Sequence, residues 1–256
     1  MSISEILLAL SLLGMIYLYA RKNRKVSSEK PAKTDLSAQT LRISPEKIIA
    51  AKLLTAEQQA ALKPQEVLAI LKKGNEDFVN GDLTVRKNAE RVLQASSGQF
   101  PLAVVLSCLD SRVPVEDVFQ RGVGDIFVVR VAGNIVNEDI LGSLEYACKV
   151  SGSKVIVVLG HENCGAIFST VAKVTLGNIT PLLAKIQPAV EASASFPGIQ
   201  NVTNPAYLHH VCAENVKNSV QNIRSKSQIL NDMEAAEEII IVSGIYDMET
   251  GKVNFM

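Results

Sequence analysis

The sequence predicts an α/β fold: a mostly parallel central β-sheet flanked by helices, preceded by an N-terminal helical arm. Three observations predict it. Four short apolar runs are rich in β-branched residues and apolar on both faces, as strands of a covered parallel sheet are. Helical segments alternate with them. The 256 residues are 47% hydrophobic and 20% charged, which supplies a full core and excludes a wholly disordered chain.

The N-terminus stands apart. Residues 6–20 (ILLALSLLGMIYLYA) form an uncharged, mostly apolar run of 15 residues, followed at once by Arg21, Lys22, Arg24 and Lys25. Counted from Ile3 the run has 18 residues, within the range of about 17–25 that spans a bilayer. A signal peptide carries its positive charges before the apolar run, and here they come after it. The positive-inside rule then puts the following chain in the cytoplasm. The expectation is a membrane-anchored protein, with residues 1–22 as the anchor and the main domain cytoplasmic. Export to the periplasm by an atypical signal is the alternative, and a soluble helix packed on the domain is the third reading. Residues 23–44, rich in Lys, Ser, Pro and Thr, read as a flexible tether. The main domain is expected over 45–256, with 45–81 as the helical arm.

Within the arm, Thr55-Ala56-Glu57-Gln58 suits a capped helix start, and Pro64 opens a second helix. There Val67, Leu68, Leu71 and Phe78 recur at helical spacing. The strands are predicted at 101–108 (PLAVVLSC), 126–131 (IFVVRV), 154–161 (KVIVVLGH) and 238–244 (EIIIVSG). Helices are predicted over 142–151 and 205–224.

Twenty-six basic residues balance 26 acidic ones, and the formal net charge of zero argues against a nucleic-acid partner. Four cysteines in a chain of this length do not make a disulfide scaffold. Two short motifs stand at the ends of predicted strands: Cys108-Leu109-Asp110-Ser111-Arg112 and His161-Glu162-Asn163-Cys164-Gly165. Ligands of open α/β sheets bind at the carboxyl ends of strands, near a switch in strand order. Cys108, His161 and Cys164 together make a Cys₂His set that suits zinc and leaves one tetrahedral corner open, as in catalytic sites. Asp110 can accept a hydrogen bond beside that corner, or swing in as a fourth ligand in a closed state. Arg112 is its natural bidentate partner. Cys148, Cys212 and the pair His209-His210 fall in predicted helices and read as packing residues.

These motifs resemble the β-class carbonic anhydrases. The likeness extends from about residue 62 to 255 and includes VPVEDVFQRGVGDIFVVRVAGN (113–134), GSLEYA (142–147), HHVCAENV (209–216) and GIYDMETGKVNF (244–255). The resemblance implies one zinc per subunit on Cys108, His161 and Cys164, with Asp110 and Arg112 as a catalytic dyad. It implies reversible hydration of carbon dioxide to bicarbonate and a proton by zinc-bound hydroxide, in a homodimer or homotetramer. Gln99 matches a substrate-binding glutamine, while Phe127 and Tyr146 match apolar pocket walls that the neighbouring subunit helps to supply. The chain has no tryptophan, so an inhibitory bicarbonate site built on one is not expected. A zinc enzyme acting on carbonyl sulfide or carbon disulfide shares the same ligand set and is the first alternative. A catalytically silent, membrane-tethered zinc-binding protein is the second.

Overall fold

A computed structural model describes residues 53–82 and 88–256, all within the second of the chain's two compact units (43–256). A five-stranded sheet runs through it in the order β2-β1-β3-β4-β5. Strands β1 (Ala103–Ser107), β2 (Ile126–Arg130), β3 (Val155–His161) and β4 (Ile240–Tyr246) are mutually parallel. The fifth, β5 (Val253–Phe255), returns antiparallel to β4. After β1 the chain crosses outward to β2, then back over β1 to β3 on its other side. The carboxyl ends of β1 and β3 therefore flank the point where strand order reverses, the place where open α/β sheets bind ligands.

Alternation along each strand splits the core into two apolar layers. Val104 and Leu106 of β1, with Ile156 and Val158 of β3, face a layer that includes Leu144, Val216, Ile223 and Leu230. Ala103, Val105, Val155, Val157 and Leu159 face the other way, against Val67, Leu71 and Phe119. Strands buried on both faces leave no polar alternation to read, which is why these runs are continuously apolar.

Two helix starts read in the sequence are present. Thr55 and Gln58 close a reciprocal capping box on helix α1 (Ala56–Ala61), and Pro64 opens α2 (Pro64–Val79). Val67 and Leu71 of α2 are fully buried. Asn75 of α2 donates to the Gly251 carbonyl at 2.9 Å and accepts the Val253 N–H at 2.8 Å, tying the arm to β5. Further helices follow as α3 (Asn88–Ala95), α4 (Val115–Val118) and α5 (Glu138–Glu145). The helix predicted from residue 142 starts earlier, because the Asn137 side chain caps it by accepting the Ile140 N–H. It then widens into a π-helical turn over Tyr146–Val150.

The predicted fourth strand lies two residues later than expected. Glu237 takes a left-handed φ of 57° and the strand runs on to Tyr246, opposite His161. Strand β5 was not expected: three residues, Val-Asn-Phe, are too few to carry a periodic signal.

The expected membrane-anchored localisation is corrected. No helix among the described residues is long and apolar enough to cross a membrane. The longest helix, Pro205–Lys226, has 22 residues but carries Glu214, Lys217, Arg224 and Lys226 along its length, and charge in a bilayer core is costly. The apolar run 6–20 and the tether 23–44, with the first part of the arm, lie outside the described residues.

One glycine reports how tightly the arm is seated. A Cβ on Gly74 of α2 would stand 2.0 Å from the Phe119 carbonyl oxygen, a backbone atom with nowhere to retreat. Gly74→Ala should destabilise the domain by about 1–3 kcal/mol, read as a lower urea midpoint; an unchanged midpoint would show that the arm is not packed in this way.

Candidate metal centre

Two strand ends and two tight turns place the donors. Strand β1 stops at Ser107, and the next residue, Cys108, turns into the interior and is almost fully buried. The Asp110 carboxylate then accepts the Arg112 backbone N–H at 3.0 Å, folding the segment after the strand into an Asx turn. His161 is the last residue of β3. Asn163 follows with a left-handed φ of 53°, which swings Cys164 back toward the strand end. Cys164 then caps helix α6 (Gly165–Val171). Strand end, reversal and helix cap account for the H-x-x-C spacing.

The ligating atoms of Cys108, His161 and Cys164 all lie within 4.8 Å of one another, and all three residues are buried. The two sulfurs are 3.9 Å apart, close to the edge of about 3.8 Å expected for two sulfurs on one tetrahedral zinc. The His161 Nδ1 proton goes to the Glu162 carbonyl at 2.8 Å, which leaves the Nε2 lone pair facing the sulfurs. That Nε2 atom is buried with no hydrogen-bond partner. A buried acceptor without a donor is costly, and a metal ion satisfies it. Two soft thiolates and an imidazole fit zinc. The contact between the sulfurs holds the Cys108 thiol well below its usual range and, with burial, raises that of Cys164.

Asp110 stands beside this set. Arg112 grips it with two parallel bonds, Nε to Oδ1 at 2.9 Å and Nη2 to Oδ2 at 2.8 Å. These bonds hold the Asp110 carboxyl down at about 2, so it is ionised across the physiological range. Its Oδ2 lies 4.0 Å from His161 Nε2.

The sequence-predicted pocket residues are elsewhere. Phe127 sits early in β2, in register with Val104, four residues or roughly 13 Å short of Cys108 along the strand direction. Tyr146 packs edge-on against Phe127, with ring centroids 6.5 Å apart, and is mostly exposed. Gln99 is exposed in the segment leading into β1, toward the opposite end of the sheet from the donors. Phe127 and Tyr146 line a groove of about 570 Å³ with Val129, Glu138 and Ser143, along the exposed edge strand.

Several contacts at the site carried no reading in the sequence. The Gly133 N–H donates to Cys108 Sγ at 3.3 Å. Arg130 donates from Nε to the Cys108 carbonyl at 3.1 Å, and its Nη2 donates to the Asp110 carbonyl. Cys212, read as a packing thiol, donates to the His161 carbonyl at 3.3 Å. His209 pairs with Glu162 at 3.3 Å, while His210 packs against the Phe196 ring. Arg130 ends β2 and Gly133 follows it, at the same sheet end as Cys108; that placement was the available signal.

Comparison with known proteins agrees with this geometry. Residues 103–253 match the family described as Carbonic anhydrase. Carbonic anhydrase 2 of Mycobacterium tuberculosis is 32% identical over 188 residues, covering 71% of this chain and 87% of that protein. The Coccomyxa β-carbonic anhydrase solved in complex with acetazolamide superposes with a TM-score of 0.60 at 25% identity, over 66% of this chain and 78% of that one. A structure from work on two tetrameric β-carbonic anhydrases of Sordaria macrospora gives a TM-score of 0.59 at 20% identity, over 66% of this chain and 87% of that one.

The thiols separate by reactivity. Burial pushes Cys148 and Cys212 up to about 12, so at pH 8 about one in ten thousand of either is thiolate. After a chelator strips the metal, iodoacetamide at pH 8 should label Cys108 first and leave Cys148 and Cys212 unlabelled while the fold persists. Peptide mapping by mass spectrometry reads this, and equal labelling of Cys212 and Cys108 would contradict it.

Proposed function

The chain belongs to the β-class carbonic anhydrase family, and on that premise we propose how its residues share the work. The reaction is the reversible, zinc-dependent hydration of carbon dioxide to bicarbonate and a proton. One observation carries the assignment of ligands: a buried imidazole nitrogen without a partner faces two sulfurs set at zinc spacing. We assign Cys108, His161 and Cys164 as the ligands. Zinc, when bound, supplies a Lewis acid that makes water acidic enough to attack carbon dioxide near neutral pH.

The dyad does the orienting. Asp110 Oδ2, ionised and fixed in the Arg112 fork, accepts a hydrogen bond from the attacking water and so aims the water's lone pair at the substrate carbon. Arg112 holds the carboxylate in that position and keeps it unprotonated. Should Arg112 let go, the same carboxylate can take the fourth position on the metal and shut the site. His161 keeps its tautomer through the Glu162 carbonyl, so Nε2 remains a lone-pair donor. With three protein ligands, a bound zinc would keep a position free for water or substrate.

Gln99, Phe127 and Tyr146 serve as substrate-binding residues in this reading, and they act from a second copy of the chain. Their distance from their own donors, and the exposure of Gln99 and Tyr146, support that assignment. The neighbours of Sordaria macrospora are tetrameric, and a homodimer or homotetramer suits a chain whose pocket walls face outward. The catalytic domain is 45–256, with 45–81 as its arm; the family match over 103–253 supports the core of that division.

Stopped-flow carbon dioxide hydration on zinc-loaded protein tests the assignment. Cys108→Ser should lose zinc and activity together. Asp110→Asn should keep zinc, by metal analysis, and slow hydration roughly 10–100-fold. A full rate in the zinc-loaded Asp110→Asn protein would remove the dyad from the mechanism. Tyr146→Arg, which puts a charge into the groove, should shift the protein toward monomer in sedimentation and reduce hydration with zinc retained; an unchanged mass and rate would place the pocket walls elsewhere.

A further inference from the structure

The turn after β2 is held more firmly than a connecting turn needs. Residues Ala132–Asn134 form a single 3₁₀ turn with Gly133 at a left-handed φ of 67°. A Cβ at Gly133 would stand 2.6 Å from Ile186 Cδ1 and 3.1 Å from the Ala166 side chain. Two side chains of the long helix Pro205–Lys226 grip the same turn from behind. Asn215 Nδ2 donates to the Gly133 carbonyl at 2.8 Å, and Ser219 Oγ donates to the Asn134 carbonyl at 2.9 Å. The front of the turn presents the Gly133 N–H to Cys108 Sγ.

Asn215 is almost fully buried, and its Oδ1 has no hydrogen-bond partner. A buried amide left half unsatisfied is a cost to the fold. The half that is satisfied is the one that fixes Gly133. We propose that Asn215 is a positioning residue for the metal centre: it aims the Gly133 N–H at the Cys108 sulfur and thereby sets how strongly that sulfur donates to zinc. A hydrogen bond to a ligating sulfur draws electron density from it. The metal keeps more of its positive charge than two unassisted thiolates would leave it. Gly133 has to be glycine both for the backbone angle and for want of room. The direction of the N–H is set by Asn215, from a helix that contributes no ligand.

The inference rests on Cys108 being a zinc ligand, and its test separates the two claims. Cobalt(II) replaces zinc in the full-length protein, and the thiolate-to-cobalt charge-transfer band is recorded for the wild type and for Asn215→Ala. A band in the wild type establishes thiolate ligation, and its absence would sink the ligand set rather than Asn215. In Asn215→Ala the sulfur becomes more electron-rich, so the band should move to lower energy. A purely structural loss lowers the melting temperature without moving the band. A wild-type band position in the cobalt-loaded variant would overturn the proposal. If Asn215→Ala does not fold, Asn215→Asp asks the same question, because it keeps the volume and exchanges the donating amide for an acceptor. The same shift is expected, and an unmoved band again overturns it.

Discussion

The structure depends on one arrangement: two sulfurs and an imidazole nitrogen brought within 4.8 Å in a buried space. Without a metal the set is poor in stabilising contacts. One sulfur leans on the other for its proton, and His161 Nε2 bonds to nothing. Ligands must be deprotonated to bind, so metal capture releases protons and joins binding to folding. The fold prepares for this by locking what surrounds the donors rather than the donors alone. Cys212 holds the His161 carbonyl, Arg130 holds the Cys108 carbonyl, and Arg112 holds Asp110. Each bond comes from a different element, which keeps the three donors from drifting independently.

The sheet and the donors were legible in the sequence for a shared physical reason. Strands covered on both faces must be apolar throughout, so β1 to β4 stand out as unbroken runs. Chemistry in such a sheet has to sit where the strands end, and Cys108 and His161 occur there. Other features left weaker traces. Asn137 is a helix cap that an apolar pattern passes over, so α5 starts before its predicted boundary. β5 is too short for periodicity and exists because Asn75 and the edge of β4 give it partners. The contacts of Gly133, Asn215 and Arg130 depend on backbone direction, which residue type alone does not carry. Membrane attachment was read from the run 6–20, and among the described residues no helix supports it.

The site is also one-sided. The sulfurs, the imidazole and the clamp on Gly133 gather at one end of the sheet, while Phe127 and Tyr146 pack together away from them beside β2. The half-exposed edge strand, the T-shaped pair of Phe127 and Tyr146, and the groove beside them are a surface shaped for company. The donor set at the carboxyl end and the groove along the edge strand are two separate features of the same sheet.

The link from Asn75 to Gly251 and Val253 joins residues 176 and 178 positions apart. Closing such a span early in folding is entropically slow. The tie between the arm and β5 cannot form until residues 251–253 have been made, so the seating of α2 is a late, non-local event. Cys108, His161 and Cys164 all precede, along the chain, the residues that make this last tie.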